Sequence, residues 1–169
     1  MIGGPDGKDP MIGRRIVALL IATALAVAAS GCGIRIPADP DGTLAAVEGG
    51  VLRAGVSPNG EWVRVEPEGV AGTDVDRLRA FARSLDADVE FTVGSEEALV
   101  RGLKDGDLDV VAAGLTDATP WTADAGVSRP YAEATLGDGS RASIVMLVPL
   151  GENAFLSRLE TFLVEEGAR

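Results

Sequence analysis

The chain has no histidine, one cysteine, and few aromatic residues: four Phe, two Trp and one Tyr in 169 residues. Without histidine, and with a lone thiol, neither a zinc site nor a Ser-His or Cys-His nucleophile system can be assembled. One cysteine also rules out an intramolecular disulfide. No phosphate-cradling GxxxxGK[ST] loop and no GxGxxG dinucleotide turn occur, so no nucleotide cofactor is implied. The aspartates at 105, 107 and 109 alternate as in calcium loops, but no glycine and terminal glutamate are spaced to complete one. The chain therefore reads as a non-enzymatic protein, with no metal and no cofactor.

What is present begins with an export signal. Arg14 and Arg15 precede the uncharged run Ile16 to Ala29, which leads into Ala29-Ser30-Gly31-Cys32. A basic stretch, a short apolar stretch and small residues before a cut site form a secretory signal. The run falls short of the roughly 20 apolar residues a membrane span needs. Residues 1–10 fit no part of such a signal, which points to translation from Met11. Small residues leading into a cysteine resemble a bacterial lipobox, with Ala29 in place of the usual leucine. That resemblance implies a lipid on Cys32 and a position on the outer face of the cytoplasmic membrane. The alternative is a free thiol in an uncleaved segment. The paired arginines leave the export route, general secretory or twin-arginine, open.

Cleavage before Cys32 would leave 138 residues carrying 12 basic and 24 acidic side chains, a net charge of −12. So acidic a chain does not suit a nucleic-acid backbone. It is also repelled by anionic lipid heads, so the membrane attachment falls to the anchor. Residues 32–42, with prolines at 37 and 40, read as a lipidated tether, and residues 43–169 as one domain.

Within that domain, helical and extended patterns alternate. Val51 to Ser57 reads as a strand ended by Pro58-Asn59-Gly60, and Trp62, Val63 and Val65 as a short extended run. Val75, Leu78, Phe81, Ala82 and Leu85 recur at helical spacing. A strand follows over 88–93, then a helix capped by Ser95, then an apolar strand over 109–113. Thr119-Pro120 opens a short helix. Extended runs 131–136 and 142–149 flank Gly137-Asp138-Gly139-Ser140, and a helix over about 153–166 closes the chain. Strands separated by helices imply an α/β domain with a small, mostly parallel sheet and flanking helices.

The blocks Val51-Leu52-Arg53-Ala54-Gly55-Val56, Gly72-Thr73-Asp74-Val75-Asp76, Gly106-Asp107-Leu108-Asp109-Val110-Val111, Gly114-Leu115-Thr116 with Thr119-Pro120, Ser128-Arg129-Pro130-Tyr131 and Met146-Leu147-Val148-Pro149-Leu150-Gly151 resemble, in this order, the amino-acid-type extracellular solute-binding proteins of family 3. The resemblance implies two α/β lobes that close on a small solute and deliver it to a membrane transporter. Only about a dozen residues separate Tyr131 from the final strand, which cannot hold a second lobe. The sequence thus resembles lobe one alone, with the cut closed by Gly137 to Ser140. A second protein that supplies the missing lobe, or an interaction module that docks or self-associates through the exposed face, fits the same sequence.

In open parallel sheets, ligands bind beyond the carboxyl ends of the strands. That edge gathers Ser57, Asn59, Trp62, Thr116, Asp117 and Trp121 as candidate ligand contacts. Trp62 lies where the family places a stacking aromatic, or packs its hairpin onto the body. Thr116 matches a ligand-contacting hydroxyl of the family, or caps the next turn. Trp121 stands at or beside the place of the arginine that pairs with an amino acid's carboxylate, and an indole cannot replace that guanidinium. Asp74 and Asp76 are expected to cap the helix they open. Replacing Cys32 by serine should move the protein from the membrane to the soluble fraction; retention in washed membranes would overturn the lipobox reading.

Overall fold

The computed structural model describes residues 39–167; the export signal, Cys32 and residues 33–38 lie outside them. Thr43–Val47 forms one helical turn (α1), and Gly49, in the left-handed region at φ 68°, turns the chain into β1, Val51–Val56. A hairpin follows, β2 (Arg64–Glu66) and β3 (Gly69–Ala71), paired only with each other. Then come α2 (Thr73–Arg83), β4 (Asp88–Val93), α3 (Glu96–Asp105) and β5 (Val110–Thr116). A 3₁₀ turn at Pro120–Ala123, β6 (Gly126–Val127), β7 (Ala132–Thr135), β8 (Arg141–Val148) and α4 (Asn153–Gly167) complete the chain.

One six-stranded sheet runs β4-β1-β5-β8-β6, with β7 also on β8. β1 is parallel to both β4 and β5, joined by right-sized helical crossovers, and the returning β8 is antiparallel to β5, β6 and β7. The apolar β5 is buried along almost its whole length because both faces are covered. On one face, Ala54, Val56, Val110, Ala112 and Met146 pack against Val75, Leu78 and Phe81 of α2 and Phe155 and Leu159 of α4. On the other, Val111, Ala113, Leu115 and Leu147 pack against Leu99, Val100 and Leu103 of α3. The two layers give an α/β sandwich. Between β7 and β8 the chain turns tightly, Leu136 N–H to Ser140 O at 2.8 Å, and the Asp138 carboxylate accepts from the Ser140 amide and hydroxyl. A hairpin thus occupies the point where a second lobe would leave the sheet.

Two buried carboxylates tie distant segments. Asp109 accepts from the Arg53 amide at 2.8 Å and, with both oxygens, from the Arg53 guanidinium, locking β5 beside β1. Glu152, 1% exposed, accepts from the amides of Asp41 and Thr43, each at 3.0 Å. Asp39 returns the contact, accepting from Leu44 at 2.8 Å and from Ala154 and Phe155 at 3.0 Å. Residues 39–42, which the prolines assign to the tether, are therefore bonded to the body of the domain. Five backbone N–H groups, four of them orphans at the starts of α1 and α4, drive this closure. Burial alone would raise the Glu152 pKa, but the two amide donors outweigh it and hold it below the usual glutamate range. A depressed carboxylate stabilises the fold above its unfolded pKa, about 4.3, and that stability drains as pH falls through the native value. Glu152→Ala should cost about 1–3 kcal/mol in urea unfolding at pH 7, with the gap to the parent protein narrowing below about pH 4.

Candidate functional site

The carboxyl ends of β1 and β5 lie side by side, since Val56 pairs with Ala112. Ser57 follows β1, and Thr116 closes β5, where it pairs with Ile144 of β8. The ladder runs one residue further through Asp117 N–H to Ser143 O at 2.9 Å. The Ser57 and Thr116 hydroxyls and the Asp117 carboxylate form no hydrogen bond among the described residues. They stand partly or fully exposed at one edge.

β5 does not reach that edge regularly. Its register on β8 shifts between Val111 and Leu115, and Gly114 sits at φ 60°, the left-handed region. A bulge of this kind re-aims the side chains that follow it. Three groups hold it. The Asn59 amide donates to Ala113 O at 2.7 Å, the Trp62 indole lies on Gly114, and the Gly114 N–H donates to Asp74 Oδ2 at 2.9 Å. A Cβ at residue 114 would lie 2.5 Å from the Trp62 ring, so only glycine fits both the space and the dihedral. Gly72 serves the same turn from the other side, where a Cβ would lie 2.4 Å from Trp62 O.

Asp74 is fully buried. Besides Gly114, it accepts from the Tyr131 hydroxyl at 2.6 Å and faces the Arg77 guanidinium at 3.8 Å. Arg77 in turn lies 5.0 Å over the Tyr131 ring, a cation–π contact, and its buried Nη1 has no hydrogen-bond acceptor. Burial pushes the Asp74 pKa up, more than the Tyr131, Gly114 and Arg77 contacts pull it down. Burial, together with the facing Asp74 charge, likewise raises the Tyr131 hydroxyl. The expected cap is not formed: Gly72 occupies the N-cap of α2 with no side-chain bond, and Asp74 turns inward. The tertiary donors Gly114 and Tyr131 outcompete the helix's own amides, whose first two bond instead to Glu61 O and Trp62 O. Thr119, by contrast, accepts from the Trp121 amide with Pro120 in the first turn, and Ser95 accepts from the Ala98 amide, as the sequence indicates.

The candidate residues thus divide. Ser57, Thr116 and Asp117 share the open edge. Asn59 spends its amide on the bulge. Trp62 packs against the α2-side core, and Trp121 against the α3-side core with its indole N–H donating to Glu96 at 3.2 Å. The two indoles lie on opposite faces of the sheet. Asp74, Gly114 and Tyr131 belong to the same construction, and their partnership was not readable from the sequence, where they are 40 and 57 residues from Asp74 in chain position. Among the described residues, no cluster of three metal-ligating side chains occurs and no helix is long and apolar enough to cross a membrane.

A sheet with parallel core strands, helices on both faces and polar side chains gathered beyond the strand ends has the architecture of one lobe of the periplasmic-binding type. Residues 52–165 match the bacterial extracellular solute-binding proteins, family 3, and the chain belongs to that family. It is similar in fold to a variant of the arginine-bound domain 1 from TmArgBP (TM-score 0.66, 23% identity), covering 75% of this chain and 99% of that one. It is also similar to the L-cystine solute receptor of Neisseria gonorrhoeae (TM-score 0.63, 14% identity), over 75% and 91% of the two chains. The match to nearly the whole of an isolated domain 1 accords with a single lobe. In sequence it is 36% identical over 100 residues to the membrane-bound lytic murein transglycosylase F of Vibrio campbellii, 58% of this chain but 18% of that protein. The Vibrio parahaemolyticus counterpart is 39% identical over 69 residues, 13% of its length. The chain spans less than a fifth of these relatives.

Removing the Tyr131 hydroxyl deprives Asp74 of a donor that lowers its pKa. A carboxyl with a raised native pKa binds its proton more tightly when folded, so stability falls as pH rises from about 3.9 through the native value. Tyr131→Phe should therefore cost about 1.5–3 kcal/mol at pH 7, and less near pH 4. An equal loss at both pH values in urea unfolding would refute the charge coupling.

Proposed function

We propose that this chain is a lipid-anchored, extracytoplasmic solute-binding lobe held on the outer face of the cytoplasmic membrane through Cys32. Its ligand edge is Ser57, Thr116 and Asp117, with Trp62 as the adjoining aromatic wall. The observation that carries the reading is the set of polar side chains left without internal partners at the carboxyl ends of β1 and β5. A solute would take the two hydroxyls as hydrogen-bond partners and the Asp117 carboxylate as a counter-charge. Trp121 stands at or beside the place of the family's carboxylate-gripping arginine, and the domain is strongly acidic. Amine- or guanidine-bearing solutes therefore suit this edge better than organic acids; arginine and cystine, named for the structural neighbours, and murein fragments, suggested by the sequence relatives, head the candidates. Binding without catalysis is the role the residues suit. In this role Asn59 positions the bulge instead of contacting the solute, and Trp121 covers the sheet edge.

A second reading rests on the missing wall. A small-molecule site usually buries about 70–90% of its ligand, and one lobe offers a single surface. A transporter component or a second protein that supplies the opposing wall would then make the edge an interface, with the two tryptophans at its flanks. A thermal-shift series on the Cys32→Ser chain, with arginine, cystine, other amines and murein fragments, separates the readings. A solute at 100 times its Kd should add about 2.7 kcal/mol of stability and raise Tm, and Trp62→Ala or Asp117→Asn should abolish that shift. A cooperative melt unmoved by every solute would sink the solute reading and leave the interface.

A further inference from the structure

Among the described residues the sheet ends at β4, and this edge is separate from the proposed ligand edge. Asp88 N–H donates to Gly50 O and Gly94 N–H to Val56 O, both toward β1. By alternation, the backbone groups of residues 90 and 92 also face β1, while those of Val89, Phe91 and Val93 face away from the sheet. A six-residue strand therefore presents a row of backbone donors and acceptors at its outer side. Such an edge is a template for a further strand unless it is covered.

The cover is incomplete and shaped. The β2–β3 hairpin, a separate sheet, stands beside β4, and between them runs a groove of about 370 Å³. Val65, Pro67, Val70, Phe91 and Val93 line it, Glu66 stands at its wall on β2, and Arg79 fixes its floor, with its guanidinium 5.4 Å over the Phe91 ring and a bond to Val70 O at 2.9 Å. Val65 and Val93 are 53% and 48% exposed, large for valines in a folded domain. The groove lies on the α2 side of the strand, and the side chains that β4 gives it, Phe91 and Val93, are apolar. On the opposite side of the same strand stand Asp88, Glu90 and Thr92, all exposed. The β4 strand thus alternates an apolar face and an acidic face.

We infer that the β4 edge and its groove form a docking site for an extended peptide segment of another protein, about six residues long, with apolar and basic residues in alternation. The segment adds a strand to β4 through the backbone of Val89, Phe91 and Val93. Its apolar side chains enter the groove, and its lysines or arginines lie opposite Asp88 and Glu90. Cross-strand pairs of opposite charge favour addition, and like charges oppose it. A second copy of β4 would set carboxylates against carboxylates, so self-pairing is the occupant this edge rejects. Backbone bonds supply affinity and the side-chain alternation supplies selection, the general logic of strand addition.

The test uses the full chain in nanodiscs of zwitterionic lipid, with fluorescent hexapeptides of alternating valine and lysine or of alternating valine and glutamate, read by anisotropy. The lysine peptide should bind saturably and at least tenfold more tightly than the glutamate peptide. Val93→Pro removes an outward N–H and no bond to β1, a substitution an edge strand tolerates; it should abolish binding while leaving the melting transition cooperative. Asp88→Lys with Glu90→Lys should invert the preference between the two peptides, which keeps the test decisive if the proline variant does not fold. Equal binding of both peptides, no binding of either, or an unchanged preference in the charge-reversed chain would each overturn the proposal. Peptide binding is read at β4 and solute binding at Ser57, Thr116 and Asp117, so failure of one leaves the other standing.

Discussion

The Asp74 carboxylate carries more of this architecture than any single apolar contact. Its two oxygens join the start of α2, the bulge of β5 and Tyr131 at the head of the returning hairpin, three segments that share no local sequence. The cost of burying a charge is met by two donors and by Arg77 across 3.8 Å. Because the carboxylate is bonded at a bulge, it fixes where β5 stops being regular. That in turn sets the direction in which Thr116 and Asp117 leave the sheet.

Three further carboxylates repeat the same device. Asp109 joins β5 to β1, while Asp39 and Glu152 join the two ends of the domain. All accept backbone N–H groups, which cannot be turned away as a side chain can, and so the ties are directional. A domain with few aromatics and no disulfide thus uses acidic residues as internal staples, leaving the remaining acidic side chains on its surface. The net negative charge is not only a solvation feature. Part of it is structural, and the exposed part gives the β4 edge its acidic side.

The single lobe changes what the family geometry can do. In the hairpin of β7 and β8, the chain passes from Thr135 to Arg141 through one tight turn, so no second lobe leaves the sheet at this point. The side chains of Ser57, Thr116 and Asp117 stand partly or fully exposed, and in the proposed binding role their enclosure would come from another protein. The indoles of Trp62 and Trp121 lie on opposite faces of the sheet and cannot close on one small molecule as a pair. Their separation follows from strand alternation, which sends the cores around Ala112 and Ala113 to opposite sides.

The sequence by itself determined the order of the main helices and strands, though not the short β3 and β6, the capping of α3 by Ser95 and of the 3₁₀ turn by Thr119, the helical stripe of α2 and the absence of room for a second lobe between Tyr131 and β8. These depend on interactions within a few residues or on periodicity, which are written locally. The family blocks, from Val51 to Gly151, carried the fold as well. Only the tertiary structure decided the role of Asp74, which local rules make a helix cap, because its two donors lie 40 and 57 residues away. The same holds for Asn59, whose amide serves the β5 bulge, and for the hairpin that walls the groove at β4. Burial and distant pairing select among partners that are equally near in chemistry and far apart in sequence, and no local pattern records that choice.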